Sequence, residues 1–303
     1  MVVLFLASIA IFGVLRLTPG SPAAVLAGPS ATPETIAAIT GQLGLDQALP
    51  QQYLRWLGGL FSGHLGTSYV VGAPISTLIQ QGAGNTLELT LSALILAIIG
   101  GGLLGTLGAV SRGRVTGSVL RLVNTLSFAV PTFVSGVVLV AVFAVRLPVF
   151  PPGGHVSILQ YPITALRYIA LPAICLAIPV SAVIARYLET ALRQALEEDY
   201  VRTATAKGLT RRAIVVSQAL PNALPSVVTV IGIQVGQLLG GALIVEAIFA
   251  WPGLGRLILT AVVGRDYLLV QDLLLLAVAL FVVLQTATDI LHAALDPRLR
   301  REA

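Results

Sequence analysis

Six apolar blocks, most of them about 20 residues long, recur along this chain, and an α-helix of that length crosses a bilayer. They cover 2–15, 87–110, 119–145, 169–192, 223–246 and 268–291. Hydrocarbon offers the backbone no hydrogen-bond partner, so each block must satisfy its own N–H and C=O groups as a helix. Only 10% of the residues are charged, against about 25% in soluble domains. The expected fold is an all-α membrane protein with about six transmembrane helices.

The first block is short for a full span at about 1.5 Å per residue. Because no basic flank precedes it, residues 1–17 are expected to be a first transmembrane helix that is truncated at its start. A cleavable leader is the rival reading, and the missing basic segment argues against it. Residues 18–84 are polar and rich in proline and glycine, and are expected to form a small subdomain of short helices outside the membrane. Within them, Thr32, Pro33 and Glu34 are helix-start signals. Tyr53 to Phe61 has the pattern of an amphipathic helix with Trp56 at an interface. Residues 85–303 are the transmembrane core. Its glycines at 100–102, 105 and 108 suit close helix packing. That glycine cluster and Pro131 are either hinges or simply a packing stripe and a kink. Proline also punctuates the fourth block (Pro172, Pro179) and the start of the fifth (Pro221, Pro225).

Six spans place both termini on one side. About eleven cations fall in the loops and tail on that side and about six on the other, so the first side is cytoplasmic. The 18–84 segment and the turn at Trp251 are then external. A single cysteine, Cys175, excludes disulfides and cysteine-rich metal sites. His64, His155 and His292 are far apart and form no HExxH motif, so no metal site is expected. The only lysine, Lys207, lies between Ala206 and Gly208. There is accordingly no GxxxxGK[ST] phosphate loop, and neither catalytic residues nor ATP hydrolysis is expected of this chain. Arg186 and Glu189, spaced i, i+3, are read as a structural ion pair. Asp272 and Asp289 are the carboxylates of the last block. They form no series across the membrane, which argues against a stand-alone secondary transporter.

One polar stretch interrupts the oily chain: Asp199-Tyr-Val-Arg-Thr-Ala-Thr-Ala-Lys-Gly208, followed by Leu-Thr-Arg211-Arg212. Glu197, Glu198 and Asp199 mark an exit into water, because charge near the bilayer centre costs about 2.5–3.5 kcal/mol. Glu198 and Arg202 have i, i+4 spacing. Gly208 suits the position after a helix, and Thr210 can cap the next one. The result is a short helix, a sharp turn and a second helix that re-enters through Pro221. Small residues among cations offer another protein a close, oriented approach. A basic loop resting on lipid headgroups is the alternative the residues leave open. At Trp251-Pro-Gly-Leu-Gly255 an interfacial tryptophan anchor and an outer-gate element are likewise both open, and Glu246 has Arg256 as a candidate partner.

Arg202-Thr-Ala204, Gly208 and Leu220-Pro221 have the spacing of the EAA loop of bacterial ABC importer permeases. Arg202-Thr203 replaces the family's Glu-Ala and Gln218 its Ile, departures that resemble the peptide-importer branch. LRLTPGSP, LGLDQALPQQYLRWLGGLFSGHLGTSY, EAIFAWPGLGRL, RDYLLVQ and LDPRLR look like the "B"-type transmembrane subunit of the dipeptide/oligopeptide/nickel transport family. These motifs run from about residue 15 to 300.

The resemblance implies a permease with a coupling helix in the loop 197–221. Arg202, Thr203, Ala204 and Gly208 would dock a cytoplasmic ATPase, with Lys207, Arg211 and Arg212 around them. Glu246, Trp251, Pro252, Gly253 and Gly255 would form an external gate that meets a binding protein. It also implies a homologous second permease, two ATPase subunits carrying ATP and Mg, an external binding protein or lipoprotein, surrounding lipid and no nucleic acid. The location is the bacterial inner membrane and the cargo a di- or oligopeptide. Nickel, haem, glutathione or another small solute is the alternative cargo.

Overall fold

Apolar length and local end signals together set the helices. A computed structural model describes residues 2–17, 20–28, 30–111 and 113–295, with the side chains of 114–116, 121, 288–289 and 291–295 also outside that description. The sequence features at Arg112, Arg114, Arg121, Asp289, His292 and the LDPRLR tail therefore lie outside the described residues. The order is α1 (Val2–Leu17), α2 (Pro22–Ala27), α3 (Pro33–Gln42), α4 (Leu49–Ser62), α5 (Ile75–Val110), α6 (Arg114–Ala129) and α7 (Thr132–Leu139). A π-helical turn (Val140–Arg146) extends α7. Then come α8 (Pro162–Glu197), α9 (Asp199–Ala206), α10 (Arg211–Ile214), a second π-helical turn (Val215–Ala219), α11 (Leu220–Ile248), α12 (Leu254–Val263) and α13 (Tyr267–Leu295). Among the described residues there is no strand, only an isolated bridge between Thr67 and Pro74.

The protein is all-α and built for a membrane. Among the described residues, four helices are long and apolar enough to cross one: α5, α8, α10 continued through α11, and α13. The third apolar block is a bent pair, with its halves at 104°. Val130 and Pro131 are both extended there, and Pro131 lacks the N–H needed to carry the helix through. The 16-residue α1 is the short first block. The fifth block, expected to be broken by Pro221 and Pro225, stays helical from Arg211. The wide π turn just before Pro221 relieves the crowding a proline ring imposes on the preceding turn. Residues 248–267, expected to be a loop, hold α12 at their centre, capped where Leu254 N donates to Thr86 Oγ1 at 2.9 Å.

The chain divides into two compact units. The first comprises residues 1–86 and 252–282. Its core gathers Ile75, Leu254, Ala261, Leu269, Val270 and Leu273. Phe12, Tyr53 and Trp56 add a ring cluster with centroids 5.4–6.3 Å apart. Trp56 is 7% exposed, so it is a core residue and not the expected interface anchor. Its indole N–H donates to Asp272 Oδ1 at 2.7 Å. In α3, Thr32 caps Thr35 N as expected, and its hydrogen bonding holds the Glu34 carboxyl below the usual range. The fully buried Asp266 accepts from Ser68 Oγ at 2.7 Å and caps α13 through Leu269 N at 3.1 Å.

The second unit comprises 87–251 and 283–303 and is organised on α8, the most buried of the long helices. α6, α7 and α11 pack on it. α5 approaches it closely at Gly101 and Gly105, where an added Cβ would sit 2.7–2.8 Å from Ile184, Ser181 O and Ala185 O. These glycines form a packing stripe. Cys175 is buried, with its thiol on Thr132 O.

Candidate functional site

The turn that carries α9 is built by local signals alone. Glu198 is extended (φ −69°, ψ 152°), which ends α8 and starts α9. Asp199 lies in the first turn of α9, where a carboxylate complements the helix dipole. At the other end, Gly208 adopts φ +80°, a conformation that costs an L-residue about 1–2 kcal/mol. Gly208 N then reaches Thr205 O at 3.0 Å and Leu209 N reaches Ala204 O at 3.2 Å, the paired closure of a Schellman turn. Thr210 caps α10 by accepting from Ala213 N at 3.3 Å.

This arrangement exposes Arg202, Thr203, Lys207, Gly208, Arg211 and Arg212 along one continuous polar turn. Ala204 departs from the expected docking set. It is 3% exposed, because α9 lays that side on α8 and α10. The expected Glu198–Arg202 pair does not form, since Glu198 lies outside the helix. Arg202 instead meets Asp199 at 3.4 Å, with both side chains in solvent. Such surface pairs contribute about 0–1 kcal/mol.

Two arginines tie the same region to the end of α5. Arg193 Nη2 donates to Gly108 O at 2.7 Å and Arg211 Nη2 to Val110 O at 3.3 Å. Both satisfy carbonyls that a helix end leaves open. Arg193 also pairs with Glu189 at 2.8 Å. Glu189 is thus paired at i+4, not with the exposed Arg186 as the sequence suggested. Sequence reasoning did not single out Arg193, although its i+4 spacing from Glu189 was a usable signal.

The Trp251 segment is the reverse of an exposed turn. Glu246 is fully buried in α11, and Trp251, 1% exposed, donates its backbone N–H to Glu246 O at 2.9 Å. The His155 ring meets Trp251 edge-on at 4.6 Å, and its Nε2 lies 3.1 Å from Glu88 Oε2. An interfacial anchor would leave the indole at the surface, so that expectation is corrected. In the first unit, Gly253 and Gly255 are buried and Pro252 is exposed, its carbonyl accepting from Asn85 Nδ2 at 2.9 Å. Among the described residues, no three His, Cys, Asp or Glu side chains are placed to share a metal ion.

Long apolar helices, two of them joined through an exposed, capped cationic turn, mark a multi-pass membrane protein. The chain belongs to the family described as binding-protein-dependent transport system inner membrane component, which matches residues 97–301, while the family's N-terminal region matches 1–86. It is a permease subunit of an ABC importer. It is 36% identical to the "Probable peptide ABC transporter permease protein" of Sinorhizobium fredii, over 98% of this chain and 95% of that one. It is also 36% identical to the glutathione transport system permease protein GsiC of Escherichia coli, over 98% and 94%. Among solved structures, an inward-facing MetNI methionine ABC transporter has the same fold, with a TM-score of 0.59 at 22% identity over 74% of this chain and 98% of that one. An amino acid ABC transporter gives 0.53 at 18% identity, over 75% and 94%.

Proposed function

We propose that this permease forms half of an inward path for short peptides across a bacterial inner membrane, beside a homologous second permease. The observation that carries the reading is the α9–α10 turn, which is exposed, cationic and closed at Gly208. In this reading Arg202, Thr203, Lys207, Gly208, Arg211 and Arg212 contact the ATPase, and Ala204 supports them from beneath. Two ATPase subunits bind ATP and Mg and hydrolyse the nucleotide. Their closure pushes the turns together, and α8 and α11 transmit the movement to the membrane helices. Such a cycle is a two-state element biased by a ligand bound elsewhere. Segment 197–221 and both termini face the cytoplasm, 18–84 faces outward toward a binding protein or lipoprotein, and the Trp251–Gly255 segment belongs to the outer gate.

The peptide and glutathione relatives support a cargo with a peptide backbone. Co-reconstitution tests the reading. Proteoliposomes holding both permeases and the ATPases should take up labelled dipeptide only with ATP, and charge reversal at Arg202 and Arg212 should release the ATPases. Uptake by this chain with no ATPase present would establish a secondary transporter instead. Uptake of glutathione but not of dipeptides would move the cargo and leave the machine intact.

A further inference from the structure

The first unit holds a cavity of about 230 Å³ lined by none of the docking-turn residues. Four polar atoms of its wall have no hydrogen-bond partner: Arg16 Nε, Gln52 Oε1, Gln271 Nε2 and Asp272 Oδ2. Gln52, Gln271 and Asp272 are only 9%, 2% and 3% exposed. Folded interiors pair nearly all such atoms, so four open valences around one cavity need an occupant.

The same side chains are held firmly on their other sides. Asp272 Oδ1 accepts from Trp56 Nε1 at 2.7 Å, which leaves Oδ2 for the cavity. Gln52 Nε2 donates to the carbonyls of Leu45 and Gln47 at 3.1 and 2.7 Å. That fixes the amide and leaves Oε1 as a free acceptor. The Arg16 guanidinium stacks on Phe12 and Tyr267, 5.0 and 5.4 Å from the ring centroids. Among the described residues no ion pair joins Arg16 to Asp272. The wall therefore presents a carboxylate and an amide oxygen as acceptors, and a guanidinium and an amide nitrogen as donors. A bare cation would satisfy the acceptors and face Arg16 unfavourably. An anion would do the converse.

We propose that this cavity binds a small zwitterion, an amino acid or a dipeptide. Its ammonium group meets Asp272 and Gln52, and its carboxylate meets Arg16 and Gln271. The inference does not rest on the transport reading, because it concerns binding with no ATP and no ATPase present. Trp56, one of two tryptophans in the chain, is a built-in reporter. In Trp251→Phe protein, L-alanyl-L-alanine should change Trp56 emission saturably. The N-acetylated and the C-amidated dipeptide should each bind at least about 10-fold more weakly, since each removes a charge-assisted pairing. Asp272→Asn should weaken the free dipeptide by a similar factor. The blocked ligands need no second variant, so a misfolded Asp272→Asn protein would not obscure the result. No saturable response to millimolar dipeptide, or equal binding of either blocked form, overturns the proposal and leaves a water-filled cavity.

Discussion

One methyl group should change sign within a single turn of α5. A Cβ added at Gly105 would lie 2.7 Å from Ala185 O, 3.0 Å from Leu188 Cβ and 3.1 Å from Ala185 Cα. At Gly101 it would lie 2.7 Å from Ile184 Cβ and 2.8 Å from Ser181 O. Two of these neighbours are backbone carbonyls, which cannot swing aside. Gly102 has nothing within 4 Å of its added Cβ. Alanine gains about 0.5–1 kcal/mol over glycine inside a helix wherever it fits. Overpacking costs about 1–3 kcal/mol, and contacts this short against backbone belong in the upper half of that range. Gly102→Ala should therefore stabilise by up to about 1 kcal/mol, and Gly105→Ala should destabilise by about 1–2 kcal/mol. Thermal unfolding of the detergent-purified protein, followed by fluorescence, should separate the two by several degrees, at about 2–4 °C per kcal/mol. If Gly105→Ala raises Tm as Gly102→Ala does, the close approach of α5 to α8 is wrong.

Gly208→Asn should keep most ATP-dependent uptake, since asparagine tolerates positive φ. Gly208→Val should abolish it while the protein remains folded, because an added Cβ has open space there and only the turn is strained; uptake assays on the two variants compare them directly. Arg193→Ala leaves Gly108 O and Glu189 without this donor and should cost about 1–2 kcal/mol in chemical unfolding. Burial first, and Asp266 next, raise the Tyr69 hydroxyl above its ordinary pKa of 10.0. Folding therefore favours its neutral form, so that stabilisation is intact below pH 10 and is lost as pH climbs through the raised value. Tm should fall above pH 10, less steeply in Tyr69→Phe.

What the sequence made legible has a physical boundary. The α9–α10 turn could be read because every signal in it is local: Gly208 for positive φ, Thr210 three residues before the N–H it caps, Asp199 in the first turn. Apolar length gave the spans for the same reason, since the bilayer acts on each helix separately. Two of the misreadings are of polar groups whose partners are distant in sequence. Trp56 was placed at an interface because its acceptor, Asp272, lies 216 residues away. α5 was started near residue 87, whereas it begins at Ile75. Its polar first turns are supported inside the protein by links such as Asn85 to Pro252 O and Glu88 to His155. Hydropathy scores a residue by its affinity for water and has no term for a partner that replaces water. Ala204 follows the same logic: a small residue suits an exposed docking face and a buried helix contact equally, and only the packing of α9 decides between them. The docking surface is accordingly the cationic edge of the turn, with the small residue as the support that lets α9 lie flat.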